Sequence, residues 1–266
     1  MSHKFVPGFS TWKTWSFGCI LIIAAAQKRL AYNQEVFNMK NSKTKNMTTM
    51  AMLAALAFLV MVVGRIPMVA AAPFLKYDPK DVIIVIGGFI FGPFAAFMIS
   101  LVVSIIEMFT VSETGIIGAV MNLLSTCSFA CLASVIYKKK HSINGAVLGL
   151  VSGIVLMVAV MLAWNYLLTP IYMGYPREAV AAMLVPVFLP FNLIKGGINA
   201  ALVLLIYKPV VMTLRKAGLA PKSTGSGAAG ANSPAAAKKL GASVMLAAAL
   251  LLATCIVFAL VLAGIL

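Results

Sequence analysis

Long hydrocarbon runs alternate with short segments that hold most of the charge, and this leaves few folds open to the chain. The clearest runs cover about Thr48–Val63, Val82–Phe109, Gly115–Tyr137, Ile143–Leu168 and a stretch ending near Tyr207, with another over Ser243–Leu266. About 20 apolar residues in a helix cross a bilayer, and a helix satisfies its own backbone polar groups in lipid. The sequence therefore predicts an all-α integral membrane protein, and a composition 62% hydrophobic and 10% charged agrees. The formal net charge of +15 raises nucleic acid as a partner. Because the lysines and arginines gather between apolar runs, they are read instead as orienting the chain in membrane lipid, with no nucleic acid bound.

Charge placement also fixes the number of spans. The run Val82–Phe109 is 28 residues, long for one helix and short for two. Counted as one, it would leave Lys138, Lys139 and Lys140 outside, against the positive-inside rule. A break at Gly92-Pro93 gives a short helix and a longer one and returns those lysines to the cytoplasm. The expected core is thus six transmembrane helices over residues 46–219, a multi-pass cell-membrane protein with both ends of the core cytoplasmic. Gly64–Asp81, rich in proline and charge, reads as an outer loop, and so does Thr169–Glu178.

The flanks read differently. Residues 1–45 form a basic extension outside the fold. It contains the short apolar stretch Trp15–Ala26, a signal-peptidase-like Ala24-Ala25-Ala26-Gln27 and an alternative start at Met39. Residues 220–242 have linker composition, and 243–266 are long enough for an additional, seventh hydrophobic helix.

Lys195 is the residue this plan does not explain. It stands in "LPFNLIKGGINA", where an ammonium at mid-bilayer costs about 2.5–3.5 kcal/mol on insertion scales. Asn192, Lys195 and Asn199 fall on one helix face. Lys195 lies 13 residues outward of Lys208, roughly 20 Å at helical rise, which places it in the outer half of the membrane. Asn165 near the outer end of its span and Asn122 two turns below the outer end of another reach a similar depth, beneath the loop segment "FLKYDPKD". Polar groups from several helices are expected to meet there around a small ligand. The bland alternatives are interhelical amide bonding for Asn122 and snorkelling for Lys195. Small-residue steps at Ala51/Ala55 and at Gly145, Gly149 and Gly153 allow close helix approach. Packing within the bundle is expected for the glycines, and an incoming subunit for the alanines. Cys19, Cys127, Cys131 and Cys255 read as small hydrophobes, not metal ligands. No GxxxxGK[ST], HExxH or GxSxG motif occurs, so the chain has neither a phosphate-cradling loop nor a legible catalytic group.

With those residues in view, the core resembles the substrate-binding S component of an energy-coupling-factor (ECF) transporter, in its riboflavin-binding branch. The resemblance covers about Asn46–Leu219. It rests chiefly on "FLKYDPKDVIIVIGGFIFGP" and "PFNLIKGGIN", with "AMLAALAFLV", "NLLST" and "WNYLLTPIY" in support. It implies an ATP-driven importer subunit without catalysis or a cofactor of its own, taking riboflavin as its transported ligand. Contacts are implied from Leu75, Lys76, Tyr77, Asp78, Asn122, Asn165, Asn192 and Lys195. It also implies docking of the Ala51/Ala55 face on a transmembrane T component driven by two cytoplasmic ATPases. Asn165 and Asn192 suit the alternating acceptors and N–H of the flavin pyrimidine edge, and Lys195 is expected to donate to it without meeting a formal negative charge. The alternatives are an S component for another vitamin, such as thiamin or folate, and a membrane-embedded enzyme using Lys195, Asp78 or Glu107. Folate would want arginines, and only Arg65 and Arg177 lie outward.

Overall fold

The computed structural model describes residues 43–69, 75–112, 115–174, 176–219 and 234–263. The expectations for the signal-like segment, Met39 and the linker as far as residue 233 lie outside them. Thr48–Leu266 form one compact unit; of the other, Met1–Met47, only residues 43–47 are described.

Helix α1 (Lys43–Gly64) begins five residues earlier than the apolar run and stops where the charged outer segment starts. The next apolar run does break in two, into α2 (Lys80–Phe91) and α3 (Pro93–Thr110). Gly92 between them has φ +99°, a backbone state that side chains strongly disfavour. Pro93 then starts the next helix, where its missing N–H costs nothing. Twelve residues make α2 about 18 Å long, so it returns the chain from the loop to Gly92, beside Lys138, without the length of a lipid-facing span. It is instead enclosed by its neighbours, and every residue from Lys80 to Phe89 is buried.

Helices α4 (Gly115–Lys140) and α5 (Ile143–Met173) follow, the latter capped by the Ser142 hydroxyl, which accepts from the Gly145 N–H at 3.1 Å. The expected outer loop from Thr169 is helical as far as Met173. Pro170 lies inside the helix, three residues before its end, and Gly174 ends it in the left-handed conformation.

The last core span is one continuous apolar path in three pieces: α6 (Arg177–Met183), a π-helical turn (Leu184–Phe188) and α7 (Leu189–Lys216). Pro186 lies in the wide turn, a common way to absorb a missing donor inside a span. Helix α7 passes through Pro209 to Lys216, nine residues beyond the expected end at Tyr207. Helix α8 (Pro234–Leu262) starts at a proline followed by three alanines, so helix replaces the last part of the expected linker. Among the described residues six helices are long and apolar enough to span a membrane: α1, α3, α4, α5, the α6–α7 path and α8.

The outer loop holds an unexpected element. Strands β1 (Ile66–Pro67) and β2 (Lys76–Tyr77) pair antiparallel, Ile66 opposite Tyr77, and the Met68 N–H adds a bond to Leu75 O at 3.2 Å. Two residues per strand give no readable alternation, so the sequence hides it.

Two apolar clusters hold the bundle. One gathers Leu53, Ala54 and Ala57 of α1 with Val82–Ile86 of α2 and buried residues of α3, α4, α5 and α7. The other joins Met68, Val69, Leu75 and Tyr77 of the hairpin to Val180, Phe188, Phe191, Ile194 and Ile198. Where α5 crosses α4, a Cβ on Gly149 would stand 2.7 Å from Ala133 O, and one on Gly153 2.6 Å from Phe129 O. The glycine steps therefore do pack within the bundle. Ala51 and Ala55 lie on the exposed face of α1.

Candidate functional site

Between the two clusters lies a layer of buried polar and charged side chains. Lys80 and Asp81 open α2, and Glu107 lies in the last turn of α3. Lys80 stands at the positive end of its helix and Glu107 at the negative end of its own, both unfavourable to the helix dipoles. Their mutual ion pair offsets this; the two side chains are each 1% exposed. Arg65, the residue after α1, completes the group. Its guanidinium reaches Asp78 at 3.1 Å and Glu107 at 2.8 Å, and Lys80 also lies 3.8 Å from Asp78. Asn122 of α4 donates to Glu107 at 2.8 Å. The two ends of the outer loop are thus clipped together and fastened to α3.

A second group centres on Asp81, which is wholly buried. Its Oδ1 accepts from the Thr126 hydroxyl at 2.6 Å, and its Oδ2 from the Asn199 amide at 3.2 Å. Lys195 Nζ lies 3.5 Å from the same Oδ2. Tyr77 of the hairpin donates to Asn199 Oδ1 at 2.8 Å. Burial first, then the carboxylates of Asp81 and Asp78, pushes the Tyr77 phenol well above its ordinary range, so it stays protonated and remains a donor. Asn122 and Thr126, one turn apart on α4, thus serve Glu107 and Asp81 respectively.

Asp81 compensates the charge of Lys195, a partner within the protein that was not anticipated. An isolated ammonium in this layer would be too costly. Of the expected site residues, the layer brings together Tyr77, Asp78, Asn122 and Lys195. Leu75 lies in the outer apolar cluster, and Lys76 is half-buried in β2. Asn165 and Asn192 are each 1% exposed and bond along their own helices. Asn165 donates to Met161 O at 2.7 Å and accepts from Thr169 at 3.0 Å, while Asn192 donates to Phe188 O, in the π-helical turn, at 2.7 Å. Each Nδ2 carries two N–H donors, and each of these bonds uses one.

Arg65, Lys80, Asp81, Thr126 and the pairing of Glu107 were not anticipated. The available signal was the placing of Lys80-Asp81 at the start of one short helix and Glu107 at the end of the next, which a helical hairpin brings together.

Glu107→Gln tests the clip. It leaves Arg65 and Lys80 to share Asp78, and removing one partner of a buried pair costs about 3–5 kcal/mol. Hydrogen exchange at residues 66–69 and 75–77 is expected to speed up markedly; unchanged protection there would show that the apolar cluster alone holds the hairpin.

Membrane-spanning helices thus surround a buried, charge-compensated polar layer. The sequence matches the family model of the ECF transporter substrate-specific component over residues 45–207. The chain belongs to that family. It is a transporter subunit and not an enzyme. It is 29% identical over 181 residues to riboflavin transporter RibU of Staphylococcus aureus (strain TCH60), an alignment covering 65% of this chain and 94% of the relative. Riboflavin transporter FmnP of Bacillus subtilis (strain 168) is 28% identical over 187 residues, covering 66% and 98%. A solved S component of a bacterial ECF transporter superposes with a TM-score of 0.56 at 28% identity, covering 65% of this chain and 99% of the other.

Proposed function

We propose that this chain captures riboflavin on the outer side of the cell membrane and delivers it through a complex with a transmembrane T component and two cytoplasmic ATPases. The observation that supports this most is charge balance. Among the described residues, Arg65, Lys80 and Lys195 in the buried layer are matched by Asp78, Asp81 and Glu107. A layer so balanced suits a neutral, hydrogen-bonding ligand, whereas folate would add carboxylates and thiamin a cation. The relatives named as riboflavin transporters direct the reading to a flavin.

In this reading Asn165, Asn192 and Lys195 face the pyrimidine edge of the ring through their remaining donors. The outer apolar cluster receives the dimethylbenzene edge, and the hairpin from Leu75 through Lys76 and Tyr77 to Asp78 closes over the ribityl chain. Asn122 supports the site through Glu107. The exposed Ala51/Ala55 face receives the T component, both ends of residues 46–219 lie in the cytoplasm, and residues 1–45 stand outside the binding domain.

Protein purified in detergent is expected to hold a yellow, fluorescent ligand identified as riboflavin by mass spectrometry. Binding is expected at micromolar Kd or tighter, about −8 kcal/mol or better. Colourless protein that ignores riboflavin and binds thiamin or folate would overturn the assignment.

A further inference from the structure

Helix α8 lies beyond the family match, which ends at residue 207, yet it is seated on the helix that bears Lys195. Its inward positions are Ala248, Leu252, Cys255, Ala259 and Leu262. Their spacings of 4, 3, 4 and 3 form a narrow seam. Of the residues between them, Leu250, Leu251, Ile256, Val257 and Val261 are exposed as lipid-facing side chains are, and Leu260 is half-buried. The seam fits a gap on α7: a Cβ on Gly197 would lie 2.9 Å from Cys255 Sγ. Leu252, Cys255, Ala259 and Leu262 pack against the outer apolar cluster, which holds Phe188, Phe191, Ile194 and Ile198 together with the hairpin residues Met68, Val69, Leu75 and Tyr77. As a result α7 is enclosed on nearly all sides from Phe191 to Ala201, with Leu193 alone exposed.

We infer that α8 is a resident clamp on α7. By filling the Gly197 face it keeps lipid off the back of the helix. It thereby holds the Asn192, Lys195 and Asn199 face toward Asp81 and the hairpin, and so prolongs ligand residence. This rests on the riboflavin reading for its ligand, but not for its mechanics. Packing that holds a bound state acts mainly on dissociation.

The test loads the full chain in lipid nanodiscs with tritiated riboflavin and chases with unlabelled riboflavin. Cys255→Trp overfills the α8 seam without altering the six-helix core, and Leu250→Trp places the same bulk on the lipid side. Cys255→Trp is expected to release riboflavin about tenfold faster, with Leu250→Trp like the parent. Equal release from the parent and Cys255→Trp would overturn the clamp. Hydrogen exchange without ligand separates the two claims. Faster exchange of the Phe191–Asn199 amides in Cys255→Trp, but not in Leu250→Trp, supports the clamp even if the parent binds no riboflavin; equal exchange in all three overturns it.

Discussion

Asp81→Asn is expected to destabilise the protein by about 3–5 kcal/mol, the cost of removing one partner from a buried ion pair. The substitution keeps the shape of the side chain, so the loss isolates the charge. Asp81 accepts from Thr126 and Asn199 and faces Lys195 within 3.5 Å. An amide in its place can keep its oxygen toward Lys195 and Asn199 and set its NH2 on the Thr126 hydroxyl, so the geometry survives while the charge that compensates Lys195 is lost. The effect should also spread to the hairpin, because Asn199 is the acceptor for Tyr77. Thermal unfolding in detergent without ligand measures the loss. Adding Lys195→Met removes the stranded cation, and the double variant should recover most of the stability but not ligand binding. A single variant as stable as the parent would mean that Lys195 is held by something other than Asp81.

Lys195→Met alone is expected to weaken riboflavin binding roughly 10- to 100-fold, the range of about 1.5–3 kcal/mol for a hydrogen bond to a charged group. Methionine keeps the length and apolar stem of lysine, and Asp81 keeps Thr126 and Asn199 as donors. The protein should therefore unfold at a higher temperature than Asp81→Asn, although below the parent. Equilibrium titration by flavin fluorescence quenching reads the affinity. Parental affinity in a folded Lys195→Met would remove Lys195 from the ligand contacts and leave it as a brace for Asp81.

These two substitutions touch the parts of the site that were most and least legible in the sequence. Lys195 announced itself because a cation in a hydrocarbon run has few explanations, and helical spacing put Asn192 and Asn199 beside it. Its partner was hidden. Asp81 stands at the start of an apolar run next to Lys80, where charges ordinarily mark the membrane surface, and nothing in a linear sequence says that α2 is wholly enclosed. Glu107 was obscured in the same way at the end of α3. The balance of the layer depends on side chains from α2, α3, α4 and α7 and from the outer loop, which only the tertiary fold brings into register. The break at Gly92-Pro93 was legible because the charge rule required it and the residues there permit it. The β-hairpin and the π-helical turn were not: two-residue strands carry no period, and Pro186 reads equally well as a kink.

Helix α8 has a bearing on experiments that read sidedness. Its seam meets Gly197 at Cys255, and a span that opens 18 residues after Lys216 and packs along α7 is expected to run antiparallel to it. The polypeptide therefore crosses once more after Lys216 and comes back to the level of Tyr77. A reporter enzyme inserted just after Lys216 and one joined beyond Leu262 should report opposite compartments, whichever way the bundle is inserted.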